Sequence, residues 1–150
     1  LGGLEGSRHM DTTATRPAVA QLLAGERYIG LGIEAIEPHF LGRYDNGLGR
    51  RWSEPNAVKF FDDGAVNFPY LSDGMWFLTQ LHRWGLLRQA PDYEAVARSV
   101  NRIDLYREAA QALGVGLPGQ PIRSSMLMDG VVWNGTAPAR YAGSFAIAAA

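Results

Sequence analysis

Apolar and polar positions along this chain recur mostly with the spacing of a helix, broken at short intervals by glycine and proline. Thr15, Arg16 and Pro17 precede the run from Ala18 to Ala24, with Gly25 just beyond it. A capping residue, a first-turn proline and a terminal glycine in that order predict a short first helix. From Tyr28 to Tyr44 the apolar residues are interrupted by Gly30, Gly32, Pro38 and Gly42, which allows at most one short helix around Glu34. Asp45 to Asn56 is turn-rich, and Ala57 to Phe61 is compatible with a brief strand or a turn of helix.

The clearest helix follows. Pro69 and a Ser72 N-cap, with Asp73 where the helix dipole favours an anion, start a segment that runs to about Trp84 and stops at Gly85. Asp92 caps another helix from Tyr93 to about Val100, and a third runs from about Ile103 to Leu113, closed by Gly114. Asp129-Gly130 between Met126-Leu127-Met128 and Val131-Val132-Trp133 predicts a tight hairpin. A last short helix is expected near Pro138 to Ser144, before an Ala-rich end. The fold class this describes is mainly α with a short β-hairpin.

At about 100° per residue, Phe77, Leu78, Leu81 and Trp84 form one apolar stripe of the Ser72 helix, expected to build the domain's own core. Trp76, Thr79, Gln80 and Arg83 form a second stripe that sets a large indole among polar side chains. Burying a tryptophan is worth ~3 kcal/mol, and interface cores favour aromatic residues with arginine. The second stripe therefore reads as a partner or lobe contact. The other placement, which stays open, is Trp76 as a satellite core residue under the segment from Asp45 to Pro69. On the Ile103 helix the stripe of Ile103, Tyr106, Ala109, Ala110 and Leu113 is an ordinary buried face, with Asp104, Arg107, Glu108 and Gln111 outside.

Composition narrows the classes. The 150 residues are 47% hydrophobic and 19% charged with a net charge of -1, enough apolar material for one compact domain and no footprint for nucleic acid. There is no cysteine, which removes disulfides, thiolate metal sites and a thiol nucleophile together. Leu1 to Met10 (LGGLEGSRHM) resembles a cloning or protease-site remnant, so residues 11–150 are taken as the native segment, with an expected start near Asp11.

Candidate chemistry is sparse. His39 and His82 lie far apart with no carboxylate at metal-ligand spacing, so no metal and no cofactor is expected. Ser72, Asp73 and His82 have the residue types of a nucleophilic triad, but the first two are explained as cap and dipole partner, and no nucleophile elbow is present. No catalytic residue is assigned, although a small-anion-handling enzyme would draw on Arg50, Arg51 and His82. Gly47 and Gly49 beside Arg50 and Arg51, with Arg43 nearby, offer a weak anion cradle of backbone amides and guanidinium groups. The plainer alternative is a surface loop whose arginines are solvated or paired with Glu54, Asp62 or Asp63. The turns at Asp45-Asn46-Gly47 and Asp62-Asp63-Gly64 do not match the EF-hand ligand spacing.

Four blocks, LGRYDNGLGRR (41–51), NFPYLSDGMWFLTQLHRWGLL (67–87), DLYREAAQALGV (104–115) and RSSMLMDGVVWNGTAPARYAGSF (123–145), resemble the nitrate- and bicarbonate-type solute-binding proteins of ABC importers. The resemblance implies the C-terminal, helix-rich third of a type II periplasmic-binding-protein α/β fold. It implies a non-enzymatic role in lobe packing or transporter docking, with nitrate, nitrite or bicarbonate held mainly by residues preceding Asp11. The implied partners are the missing N-terminal lobes, ABC transporter membrane subunits and, for the isolated segment, another copy of itself. Localisation follows the parent protein, extracytoplasmic for a receptor and cytoplasmic for the alternative, a nitrate-sensing regulatory relative.

Overall fold

Helical segments punctuated by glycine and proline give seven helices and two small antiparallel ribbons in the computed structural model, which describes residues 1–54 and 58–145. The helices are α1 (Gly2–Asp11), α2 (Arg16–Ala24), α3 (Ile33–Phe40), α4 (Leu71–Arg83), α5 (Tyr93–Val100), α6 (Ile103–Ala112) and α7 (Pro138–Ala142). Strand β1 (Arg43–Asp45) pairs with β2 (Arg51–Ser53), and β3 (Ser125–Met126) with β4 (Val132–Trp133). Residues 1–67 and 110–116 form one compact unit, and residues 68–109 with 117 onward form a second.

In the first unit, the opening segment set apart as a cloning remnant is helical, and Leu4 on it is 7% exposed. Its helical state concerns packing, not origin. The predicted helix ending at Gly25 is α2, but Thr15 does not cap it by side chain, because its hydroxyl donates to His9 O and Thr12 O. The described part of the segment Asp45 to Asn56, expected to be turns, carries the end of β1 and all of β2, a ribbon that periodicity did not signal, while Pro55 and Asn56 lie outside the described residues. Tyr44 lies opposite Trp52 across it, and the two rings stack at 5.3 Å. Ala57, where the brief strand or helical turn was placed, lies outside the described residues, and Val58 to Phe61 is irregular.

Arg16 ties this unit together from a position 2% exposed. Its Nε donates to Met10 O at 2.9 Å, Nη1 to Phe40 O at 2.9 Å and Nη2 to Val58 O at 3.1 Å. A guanidinium taken out of water is tolerated only when its fixed fork of donors is met. The Asp11 carboxylate stands 4.0 Å away and accepts the backbone N–H groups of Phe60, Phe61 and Asp62. Those three bonds hold a turn in which Asp62 and Asp63 both take left-handed φ values of 46° and 52°, a conformation costing about 1–2 kcal/mol per residue with a side chain.

The second unit is built on α4. Leu71, Met75, Tyr93, Ala97 and Trp133 form its buried cluster, with Trp76, Leu78, Ile103, Leu127 and Tyr141 packed partly against it. The N-cap falls two residues earlier than predicted, at Tyr70 and not Ser72. Ser72 is instead fully buried. Its Oγ accepts from Arg123 N at 3.1 Å, and its carbonyl accepts the Trp133 indole N–H at 2.8 Å. The cap at Asp92 is as expected, its carboxylate accepting Ala95 N at 3.0 Å. The α6 face of Ile103, Tyr106, Ala109, Ala110 and Leu113 is turned from solvent, as its spacing predicts.

The β3–β4 hairpin turns through Leu127–Gly130, with Gly130 N donating to Leu127 O at 3.0 Å and Gly130 at φ 80°. Met128 and Asp129 keep negative φ, so the connection is a type I turn closed by a left-handed glycine, not a two-residue turn. Gly135 also has positive φ, and a Cβ there would stand 2.6 Å from the Met75 methyl.

Burial raises the Asp11 carboxyl, but the N–H groups of Asp62, Phe60 and Phe61 and the charge of Lys59 outweigh it and hold it below its ordinary value. A depressed folded pKa contributes stability above the unfolded pKa and loses it as pH falls through the folded one. Asp11→Ala should therefore cost about 2 kcal/mol at neutral pH. In urea titrations the gap to the parent protein should close below about pH 4.

Candidate functional site

Two surface depressions, one in each unit, bring together some of the residues singled out from the sequence. In the first unit, α3 and the β1–β2 ribbon enclose a cleft of ≈ 580 Å³ lined by Glu34, His39, Arg43, Tyr44, Asp45 and Arg51 among others. Arg43 and Arg51 of the candidate cradle therefore meet in one place. Gly47, Gly49 and Arg50 belong to the ribbon's loop and do not line it.

The loop's own side chains occupy amides that an anion would need. Asp45 Oδ1 accepts from Gly47 N at 2.8 Å, and Asn46 Oδ1 accepts from Leu48 N at 2.9 Å and Arg50 N at 3.1 Å. Arg51 pairs with Asp45 at 2.6 Å, not with Glu54, Asp62 or Asp63. The Gly47 amide, with Arg51 behind it, holds the Asp45 carboxyl below its ordinary value. Arg50 lies over the Trp52 ring at 5.4 Å. Two arginines and two carboxylates leave the cleft electrically balanced.

In the second unit, Trp76, Gln80 and Arg83 of α4 face the β3–β4 turn and α7 across a groove of ≈ 510 Å³, lined also by Met126, Met128, Tyr141 and Phe145. Thr79, the fourth member of that predicted stripe, is fully buried. A relay runs inward along this side of the helix. Arg83 Nη1 donates to Gln80 Oε1 at 3.3 Å, Gln80 Nε2 to Thr79 Oγ1 at 3.1 Å, and Thr79 Oγ1 to Trp76 O at 2.6 Å. Trp76 packs against its own unit's core cluster. Tyr141, raised by burial, keeps its proton and donates it to Asp129 Oδ2 at 3.1 Å.

The stripe expected to build the core is the more open one. Phe77 is 64% exposed, Trp84 58% and Leu81 39%, and only Leu78 packs against the cluster. The inward side is Leu71, Ser72, Met75 and Thr79, of which Ser72 was expected at the cap and Thr79 on the contact stripe, and none in the core. With Val96 and Val100 of α5, Phe77 and Leu81 line an almost wholly apolar groove of ≈ 300 Å³. The triad types are dispersed, with Ser72 bonded to Arg123 N and His82 Nδ1 3.1 Å from the Tyr93 hydroxyl. Among the described residues no group of three His, Asp or Glu is placed to hold a metal, and no helix is long and apolar enough to cross a membrane.

No family profile matches the chain. It is 35% identical over 127 residues to the nitrate/nitrite binding protein NrtA of Synechococcus elongatus, covering 82% of this chain and 28% of that protein. It is 30% identical over 159 residues to the bicarbonate-binding protein CmpA of the same organism, covering 98% and 35%. The crystal structure of the periplasmic nitrate-binding protein NrtA from Synechocystis superposes with a TM-score of 0.85 at 32% identity, covering 96% of this chain and 39% of that one.

A helix-rich chain with small sheets that follows such a receptor this closely has the fold of a portion of a periplasmic solute-binding protein. Within that class, the proteins it is similar to are the nitrate/nitrite binding protein NrtA and the bicarbonate-binding protein CmpA. The chain spans 28% to 39% of the length of these three proteins.

The inverted faces of α4 give opposite expectations for two neighbouring large side chains. Met75→Ala, at a site 3% exposed, should lower unfolding free energy by about 2–5 kcal/mol. Phe77→Ser, on the open face, should change it by no more than about 0.5 kcal/mol. Chemical denaturation of both variants measures the difference.

Proposed function

We propose that this chain is the C-terminal, helix-rich portion of an extracytoplasmic receptor for a small oxyanion, nitrate, nitrite or bicarbonate, delivered to an ABC importer. In that setting it contributes lobe packing or transporter docking, and the main ligand contacts come from lobes beyond this chain. The observation that carries the proposal is the match itself, close over 96% of this chain while reaching only 39% of the solved receptor. The naming of NrtA and CmpA as binding proteins favours this reading over a cytoplasmic regulatory domain.

Local chemistry supports the division of labour. The Arg43–Arg51 cleft has its charge offset by Glu34 and Asp45, and the adjacent loop amides are internally bonded, so a free oxyanion gains little there. By contrast, α4 offers two surfaces suited to polypeptide: the apolar stripe of Phe77, Leu81 and Trp84, and the Trp76, Gln80 and Arg83 groove above buried Thr79. Contiguous exposed apolar surface of this kind marks sites of protein contact and predicts self-association of the isolated segment.

Calorimetric titration of residues 1–150 with nitrate, nitrite and bicarbonate should give no saturable heat. Saturable binding with a Kd of about 1 mM or tighter for any of the three would overturn the proposal.

A further inference from the structure

The arginines of the second unit divide by environment. Arg98, Arg102 and Arg123 each hold a carboxylate, from Glu94, Asp104 and Asp73, while Arg88, Arg107 and Arg140 are exposed to solvent. Arg83 is partly buried and has no ion-pair partner among the described residues. Its guanidinium carbon stands 3.5 Å from the centre of the Phe145 ring and 4.9 Å from that of Trp84, so aromatic surface takes the place of water around it. Among the described residues, Arg83 Nε is a buried donor without an acceptor, whereas the nearby Trp76 indole N–H faces the Tyr141 hydroxyl. A desolvated charge with an unmet donor is costly, and an incoming carboxylate meets both the charge and the fork.

The rest of the groove argues for polypeptide. Beside Arg83 its lining includes Met126, 71% exposed, and the fully exposed Met128 on the β3–β4 turn. Methionine side chains adapt to apolar partners of varied shape, whereas a small inorganic anion would lose hydration against them with Arg83 alone to offset the loss. Asp129, on the same turn, is already engaged by the Tyr141 hydroxyl.

We propose that this groove docks a polypeptide segment from outside this chain, which presents an acidic side chain to Arg83 and an adjacent apolar one to Met126 and Met128. The inference rests on the reading of the Trp76 side of α4 as a contact surface.

The test uses a capped Leu-Glu-Leu peptide and its capped Leu-Gln-Leu counterpart, titrated into the whole chain while the Trp76 indole N–H resonance is followed. The acidic peptide should bind about tenfold more tightly than the neutral one. Arg83→Gln should erase that preference while leaving the Trp133 indole resonance, a marker of the intact core, in place. Equal affinity for both peptides, no saturable shift up to about 5 mM, or an undiminished preference in Arg83→Gln would each overturn the inference. So would displacement of the peptide by equimolar nitrate, which would make the groove an inorganic anion site, or a dimer dispersed by Arg83→Gln, which would make the occupant a second copy. Loss of the peptide preference with nitrate still failing to bind removes this inference alone. Saturable nitrate binding elsewhere on the chain removes the receptor-segment proposal instead.

Discussion

The buried hydrogen bond from the Trp133 indole to the Ser72 carbonyl fixes how α4 is seated, and the second unit is arranged around that seat. Neighbouring bonds act in the same turn of helix. Leu71 N donates to Pro121 O, Arg123 N to Ser72 Oγ, and Asn101 Nδ2 to Tyr70 O, while Arg123 closes an ion pair with Asp73 at 2.6 Å. Residues some thirty to sixty positions downstream are thereby fastened to the start of α4, and Met75 and Thr79, one and two turns on, inherit the inward direction. Phe77, Leu81 and Trp84 are left on the open side by the same geometry.

This explains what the sequence could and could not disclose. Helices α2, α5 and α6 and the β3–β4 hairpin were legible because their signals are local: Gly25, the Asp92 cap, Gly114 and Asp129-Gly130 each act within a few residues. The inward face of α4 was not, since both stripes repeat at helical spacing and only the distant Pro121–Trp133 segment decides between them. The same fault placed Ser72 at the cap: its type suits that role, but its hydroxyl serves the distant backbone N–H of Arg123, which periodicity does not connect to it.

The first ribbon escaped for another reason. Three-residue strands rich in arginine and aspartate give alternation no purchase, and the loop glycines read simply as turn. Of the candidate cradle, proximity in sequence did bring Arg43 and Arg51 together, but the competition of Asp45 and Asn46 for loop amides is visible only in three dimensions. Arg16 was legible as a first-turn residue and not as the buried tie between Met10, Phe40 and Val58, because its acceptors are carbonyls, which no side-chain pattern encodes.

The stacked Tyr44–Trp52 pair has a spectroscopic consequence. Of the four tryptophans, Trp52 alone belongs to the first unit, while Trp76, Trp84 and Trp133 belong to the second. Two aromatic chromophores held nearly face to face on a ribbon give a coupled circular dichroism signal that vanishes when the strands part. The melting of one half of the molecule can thus be watched by its dichroic couplet and that of the other by indole emission once Trp52 is replaced by tyrosine in a companion sample, so whether the halves unfold together becomes visible.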